Sequence, residues 1–262
     1  MAREVVIVAD ADACIPERIR ADLGILIAPL DAAPFDPAEE PRELRRAAAP
    51  VEPGHADEAI EQARELAPTV LYVAAGDGWG GSEEAIESAT GRLTSAVRAF
   101  ESEAALMGCG WQAIAAAVVA RVGGSLWDAE QAAALVRGQT HVLAMLEHPP
   151  FAGVGGSVPG VLFGSRALIR LDGPAIEVVT RVGRRDAALI ALRERFALEA
   201  ADGHGRLRVA IHHAGSSAAA EAMALWVERT LHPEEVVIAP LTRHAASRLG
   251  PGMVGVAWYR EG

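Results

Sequence analysis

69-TVLYVAAGDGWGGSEEAIESA-89 is the stretch whose reading decides the fold. Thr69 to Ala75 is an unbroken apolar, β-branched and aromatic run, the pattern of a buried strand. Gly76, Gly78, Gly80 and Gly81 follow at once around Asp77 and Trp79, and Ser82-Glu83-Glu84 then opens an Ala-rich helix. A hydroxyl at the N-cap and carboxylates in the first turn suit the positive end of the helix dipole. A strand that passes through glycines into a helix N-terminus is a ligand-binding corner. The glycines let backbone N–H groups approach a ligand closely, and the helix end holds donors with no partner inside the helix.

Upstream of this corner, 4-EVVIVA-9 is another continuous apolar strand, ending at 10-DADACIP-16. Pro16 then starts a short helix, since a first turn tolerates its missing N–H. A strand at 25-ILIAPL-30 follows, then a Pro- and charge-rich loop over residues 31–57 with a helical piece around 38–47, and a helix over 56–66. Downstream, the helix after the corner runs to about Gly91, 96-AVRAFES-102 is a strand, 103–123 is mostly helical, and 126–137 is a further helix. Continuous apolar strands alternating with helices predict a parallel sheet with helices on both faces.

After residue 140 the pattern changes. Thr140 to Leu146 reads as a strand and 147-EHPPFAGVGGSVPG-160 as a Pro/Gly loop. Strands over 167–171 and 175–181 flank Asp172-Gly173-Pro174, a hairpin signal. A helix over 185–199, a strand over 207–212, a helix over 217–231, a strand over 235–240 and a last strand over 254–259 complete the chain. Hairpins mixed with crossovers predict a mixed sheet. The expected fold is therefore α/β with two domains: a parallel α/β/α domain over 1–138 that carries the glycine corner, and an α/β domain with a mixed sheet over 139–262.

Composition narrows the function. Of 262 residues 51% are hydrophobic and 23% charged, so the chain folds rather than staying disordered. A net charge of −11 opposes binding to nucleic-acid phosphates or to an anionic membrane surface. The longest apolar run, 113-AIAAAVVA-120, is far too short for a bilayer span, and a cytoplasmic location is expected. Cys14 and Cys109 lack metal-site spacing and read as small buried hydrophobes. His212 and His213, adjacent on a strand, point to opposite faces and cannot easily grip one metal. Arg181, Arg184 and Arg185 read as a solvated face. No metal site, cofactor or catalytic constellation is expected.

Two features at strand ends remain. Asp10 and Asp12 stand at the carboxyl edge, where open α/β sheets bind ligands, although turn hydrogen bonds explain them equally well. Gly76-x-Gly78-x-x-Gly81 matches a dinucleotide fingerprint, with Glu101 twenty residues after Gly81. Against that, the strand is third in the chain and Trp79 would crowd a pyrophosphate.

The whole chain resembles the DegV family, bacterial two-domain fatty-acid-binding proteins that include the lipid-presenting subunit of fatty acid kinase. 7-IVADADACIP-16 resembles the family's I-V-T-D-S-x-x-D-L-P, and 25-ILIAPL-30 its I-x-V-V-P-L strand. 76-GDGWGGSEEAIESA-89 resembles its S-S-G-L-S-G-T-x-Q-S-A corner. 101-ESEAALMGCG-110 resembles D-S-x-x-x-S-M-G-L-G, with Ser102, Met107, Gly108 and Gly110 in place, and 250-GPGMVGVAW-258 resembles G-P-G-x-x-G-V-x-F. The resemblance implies an acyl chain buried between the domains, its carboxylate near the glycine corner, and no chemistry by the carrier. It also implies a dihydroxyacetone-kinase-like fatty acid kinase subunit as partner.

The head-group positions depart from the family pattern. The serine that bonds the carboxylate falls on Asp77, and the histidine of T-H-T-G-P-G on Arg248, with Ser247 keeping the preceding hydroxyl. The T-S-Q-P-S loop falls near 50-PVEPG-54, and R-R-G-G-R on 153-GVGGS-157, which has lost every arginine. An aspartate facing a bound carboxylate costs about 4 kcal/mol at roughly 4 Å with an effective dielectric of about 20. Two resolutions are an Asp77–Arg248 ion pair, or Arg248 taking the acidic head group itself. The ligand-binding residues expected are Asp77, Gly78, Trp79, Gly80, Ser82, Ser247 and Arg248, with Asp10, Asp12 and Ser102 as further candidates. The alternatives are a nucleotide-binding or enzymatic α/β protein using the glycine fingerprint and Glu101, and a paralogue that has lost its ligand.

Overall fold

The computed structural model describes residues 3–29, 32–40, 43–44, 54–76, 96–147, 166–173 and 176–262. Strands β1 (Val5–Asp10), β2 (Leu26–Ala28), β3 (Thr69–Ala74) and β4 (Val97–Glu101) form one all-parallel sheet in the order β2-β1-β3-β4. Ile7 pairs with Leu71 and Ala9 with Ile27. Its apolar runs are continuous because both faces are covered. Val6, Val8, Val70 and Tyr72 pack against Ala59, Ile60 and Ala63 of α2 (Asp57–Leu66). Ile7, Ala9, Leu71 and Val73 face the other way, toward α3 (Met107–Arg121). A short α1 (Glu17–Leu23) follows β1, opened by Pro16 and closed by Gly24 in the left-handed region.

Helix α3 has no polar face: Met107 to Ala113, Ala116, Ala117 and Ala120 are all buried. A helix apolar all round belongs inside, and this one lies between the two sheets. Gly108 and Gly110 sit at its closest approaches. A Cβ on Gly108 would come within 2.6 Å of Val142 Cγ2, and one on Gly110 within 3.0 Å of the Ala13 carbonyl. Helix α4 (Leu126–Arg137) starts at a capping box, in which Ser125 accepts from the Asp128 N–H and Asp128 accepts from the Ser125 N–H.

The second sheet is mixed. Strands β5 (His141–Leu146), β6 (Arg166–Arg170), β7 (Glu177–Val182), β8 (Arg206–His213), β9 (Glu235–Pro240) and β10 (Val254–Glu261) take the order β7-β6-β5-β10-β8-β9. Among the described strands of this sheet only β8 and β9 pair in parallel, joined by α6 (Ser217–Leu231). The expected hairpin is β6–β7, antiparallel. Leu143, Met145, Val254, Val256 and Trp258 face α5 (Arg185–Ala201) and α6, with Phe196 edge-on to Trp258 at 5.0 Å. Val142, Ala144, Leu146, Ala210 and Ala257 face the core they share with α3 and the first sheet. Every strand of the first sheet precedes residue 102, and every strand of the second follows residue 140.

The sequence reading does not anticipate α7 (Arg243–Leu249), between β9 and β10. Its signals were present in miniature. Thr242 caps it by accepting from the Ala245 N–H at 3.1 Å, and Gly250, at φ +87°, ends it. In the span read as loop, Pro34 bridges Thr242, with Phe35 N–H donating to Leu241 O and Arg243 N–H to Ala33 O. Arg185 is not simply a solvated cation. It pairs with Glu147 and donates to Gly252 O and Ser216 Oγ, so it fixes the turn before β10.

Candidate functional site

The strand order sets where a ligand belongs. From β1 the chain crosses to β2 on one side, then returns to β3 on the other, so the topological switch lies between β1 and β3. Ligands of open α/β sheets bind outside the carboxyl ends of the strands at such a point. Here β1 ends at Asp10 and runs into a single 3-10 turn, Ala11–Ala13, closed by Cys14 at φ +50°. This one turn carries two carboxylates with separate long-range duties.

Asp10 looks back at its own sheet. It accepts from the Ala75 N–H at 2.6 Å, the Tyr72 hydroxyl at 2.7 Å and His55 Nε2 at 3.0 Å. Ala75 is the residue at which the glycine corner begins. Burial and the Asp10 charge together push the Tyr72 phenol well above its ordinary value, so it stays a donor. Gly76 then packs on the turn after β4: its N–H donates to Ala104 O at 2.9 Å, and a Cβ there would meet the Ala104 nitrogen at 2.9 Å.

Asp12 looks toward the second half of the chain. It accepts from the Thr242 hydroxyl at 3.0 Å and from His244 Nδ1 at 2.5 Å, and the Arg248 charge also acts on it. Burial by itself would raise the Asp12 pKa. The His244 hydrogen bond and charge, with Arg248 and Thr242, outweigh burial and hold the carboxyl below its usual range. Burial pulls the Arg248 guanidinium down and Asp12 opposes the pull. Arg248 is only 4% exposed and Ser247 fully buried, with Ser247 Oγ donating to His244 O at 2.6 Å. Arg243 forks onto Glu39 through Nε at 2.8 Å, anchoring the start of α7 to the loop segment 32–40.

Of the residues the sequence singles out, Asp77, Gly78, Trp79, Gly80 and Ser82 lie outside the described residues, and so does one half of the Asp77–Arg248 pair. One carboxylate that acts on Arg248 is Asp12. Ser102 is buried and its hydroxyl donates to Ala104 O at 3.0 Å, within the turn leading to α3. Glu101 ends β4, beyond β3 from Asp10. Sequence reasoning missed His55, Tyr72, Thr242 and His244.

The chemistry of the surroundings is quiet. Both cysteines are free and buried; burial, reinforced by the Asp12 charge, pushes the Cys14 thiol up to about 12, and burial likewise raises Cys109. Neither is a thiolate nucleophile. His212 is buried and neutral, with Nδ1 donating to Ala239 O at 2.9 Å and Nε2 accepting from the Met107 N–H at 3.1 Å. Among the described residues no group of three His, Cys, Asp or Glu side chains is placed to hold a metal ion, and no helix is long and apolar enough to cross a membrane. A groove of about 170 Å³ lined by Leu189, Ile190, Arg193, Met223 and Trp226 lies between α5 and α6, on the face of the mixed sheet turned from α3 and thus away from this site.

A family model described as "Uncharacterised protein, DegV family" matches residues 40–261. The chain belongs to the DegV family. No curated protein matches the sequence. Solved DegV-like structures share its fold over nearly its full length. One is a DegV family protein from Thermus thermophilus described for fatty acid binding, with TM-score 0.82, 21% identity, and coverage of 98% of this chain and 100% of that one. A second is DegV, a fatty acid binding protein from Bacillus subtilis, with TM-score 0.79, 18% identity, and 99% and 100% covered. A third is a stearic acid-binding protein from Eubacterium ventriosum, with TM-score 0.75, 13% identity, and 99% and 98% covered. Within the DegV match lie α7, Ser247, Arg248 and the GPG turn, whereas Asp10 and Asp12 precede it.

Proposed function

We propose that this protein binds a fatty acid or a related amphiphile. The tail lies in an apolar site between the domains 1–138 and 139–262, and the head group lies at the carboxyl edge of the parallel sheet. It works in the cytoplasm and performs no chemistry on the ligand. The observation that carries this reading is the convergence on one turn: Asp10 holds Ala75, where the glycine corner begins, and Asp12 holds α7, which leads into Gly250-Pro251-Gly252. The apolar residues that both sheets turn toward α3, and the fatty acids bound by the DegV structures above, support it. The head group lies among Asp77, Gly78, Trp79, Gly80, Ser82, Ser247 and Arg248, with Arg248 offsetting the charge of Asp77. Of these Arg248 is the strongest donor, since a buried guanidinium offers a carboxylate a two-pronged fork.

Native mass spectrometry tests the reading on purified protein, before and after delipidation and after re-addition of stearate. An acyl-sized adduct that leaves and returns is expected; a nucleotide-sized adduct, or none in all three samples, would overturn it. In the same assay Arg248→Ala should retain less stearate, by about tenfold or more in affinity. Unchanged retention would remove Arg248 from the head-group site. Presentation to a dihydroxyacetone-kinase-like subunit is the further step the family suggests. Because 153-GVGGS-157 carries no arginine, slow or absent phosphorylation of the bound acid by such a kinase is expected. Rapid turnover would show that another surface replaces the lost cations.

A further inference from the structure

His55 stands in the turn immediately before α2 and is only 9% exposed at its side chain. Its Nε2 faces Asp10 at 3.0 Å, with the Tyr72 hydroxyl 3.2 Å away. Its Nδ1 is buried and has no hydrogen-bond partner among the described residues. Leaving a polar atom buried and unpaired is costly, and native proteins keep few such atoms without a use for them. The rest of the cluster is fully employed: one Asp10 oxygen takes Tyr72 and His55, the other takes the Ala75 N–H. The ring is therefore clamped with one nitrogen on a carboxylate and the other directed away from it. The clamp sits at the end of β1, beside the switch point and next to the residue that opens the glycine corner.

We infer that His55 is a contact for the ligand's acidic head group, hydrogen-bonding it through Nδ1 while Asp10 and Tyr72 hold the ring in place. This rests on the amphiphile reading and deepens it by naming a residue from the first half of the chain to act with Arg248 from the second. Asp10 serves as the positioning residue. Its carboxylate holds Nε2 and so fixes the direction in which Nδ1 faces. The plain alternative is that His55 only braces Asp10, with a buried water satisfying Nδ1.

Paired amide substitutions separate the two. The amide of Gln reaches as far as an imidazole Nε2, and that of Asn as far as Nδ1. His55→Gln keeps the bond to Asp10 and loses the polar atom at the Nδ1 position; His55→Asn does the reverse. Stearate titrated calorimetrically into delipidated wild type and both variants, with a thermal melt of each, gives the answer. Expected is an H55Q variant that melts like wild type yet binds stearate about 10- to 100-fold more weakly, and an H55N variant that recovers much of the affinity despite a lower melting temperature. Wild-type affinity in H55Q would overturn the inference while leaving the amphiphile reading intact. Absence of stearate binding by the wild type itself would overturn both.

Discussion

Acidifying the protein from pH 6.5 to about 4 is expected to remove on the order of 3 kcal/mol of stability through His212 alone. The imidazole is fully buried, and desolvation lowers its pKa from 6.5 to about 4, against the pull of the Ala239 carbonyl. In the unfolded chain it takes a proton as soon as the pH falls below 6.5; in the folded chain it stays neutral down to about 4. Through that window the unfolded state binds more protons, so stability rises with pH across it and is lost on acidification. The geometry gives the reason. Nδ1 already donates to Ala239 O, and Nε2 must accept from the Met107 N–H, an orphan donor at the start of α3. A second proton on the ring would set two N–H groups against each other. Urea midpoints measured at half-unit steps should slope steeply between pH 4 and 6.5 in the wild type and flatten in His212→Gln. Equal slopes in both proteins would show that His212 is not the group responsible.

Asp12→Ala is expected to cost about 3–5 kcal/mol, because it strips a buried arginine and its hydrogen-bonded neighbours of their shared carboxylate. Thr242, His244 and Arg248 all depend on it, and all three belong to α7 or its cap. The loss should therefore be regional as well as global. Hydrogen exchange at the Ala245, Ala246 and Gly250 amides, which donate to Thr242 Oγ1, Thr242 O and Ala246 O, should accelerate more than exchange in β1 or β3. The Asp12 carboxyl is held below its usual range, so its contribution is complete at neutral pH and fades only as the pH falls below that range. Asp12→Ala should accordingly be harmful at pH 7 and nearly silent in strong acid. A cost under about 1 kcal/mol at neutral pH would mean that α7 is held by packing rather than by this carboxylate.

Much of the scaffold was legible because its signals are local. Helix α4 at 126–137, helix α6 at 217–231 and strand β9 at 235–240 fall where the pattern along the chain puts them. The runs EVVIVA and TVLYVA read as strands covered on both faces, and they are. Helix α7 escaped notice because seven residues with Ala245, Ala246 and Leu249 as their apolar set are too few to establish a period. The site was half legible. Asp10 and Asp12 could be marked as strand-end carboxylates from sequence alone, whereas their partners could not: Tyr72 lies 62 residues from Asp10, and His244 lies 232 from Asp12. Spacing along the chain carries no trace of such a contact. Arg185 misled for a related reason. A basic cluster at a helix start looks solvated until Glu147 and the Gly252 carbonyl arrive from distant parts of the chain.

The two glycines of α3 look in opposite directions, Gly108 toward Val142 of the mixed sheet and Gly110 toward the Ala13 carbonyl beyond β1. Each already has the smallest side a residue can present. A change on the facing surface that needs more room cannot be answered by trimming the helix, because nothing is left to trim. Mutational freedom in this molecule is consequently uneven. The seam along α3 is pinned by backbone, while the rim is pinned by side chains that share one buried carboxylate, so Asp12, His244 and Arg248 can change only as a set.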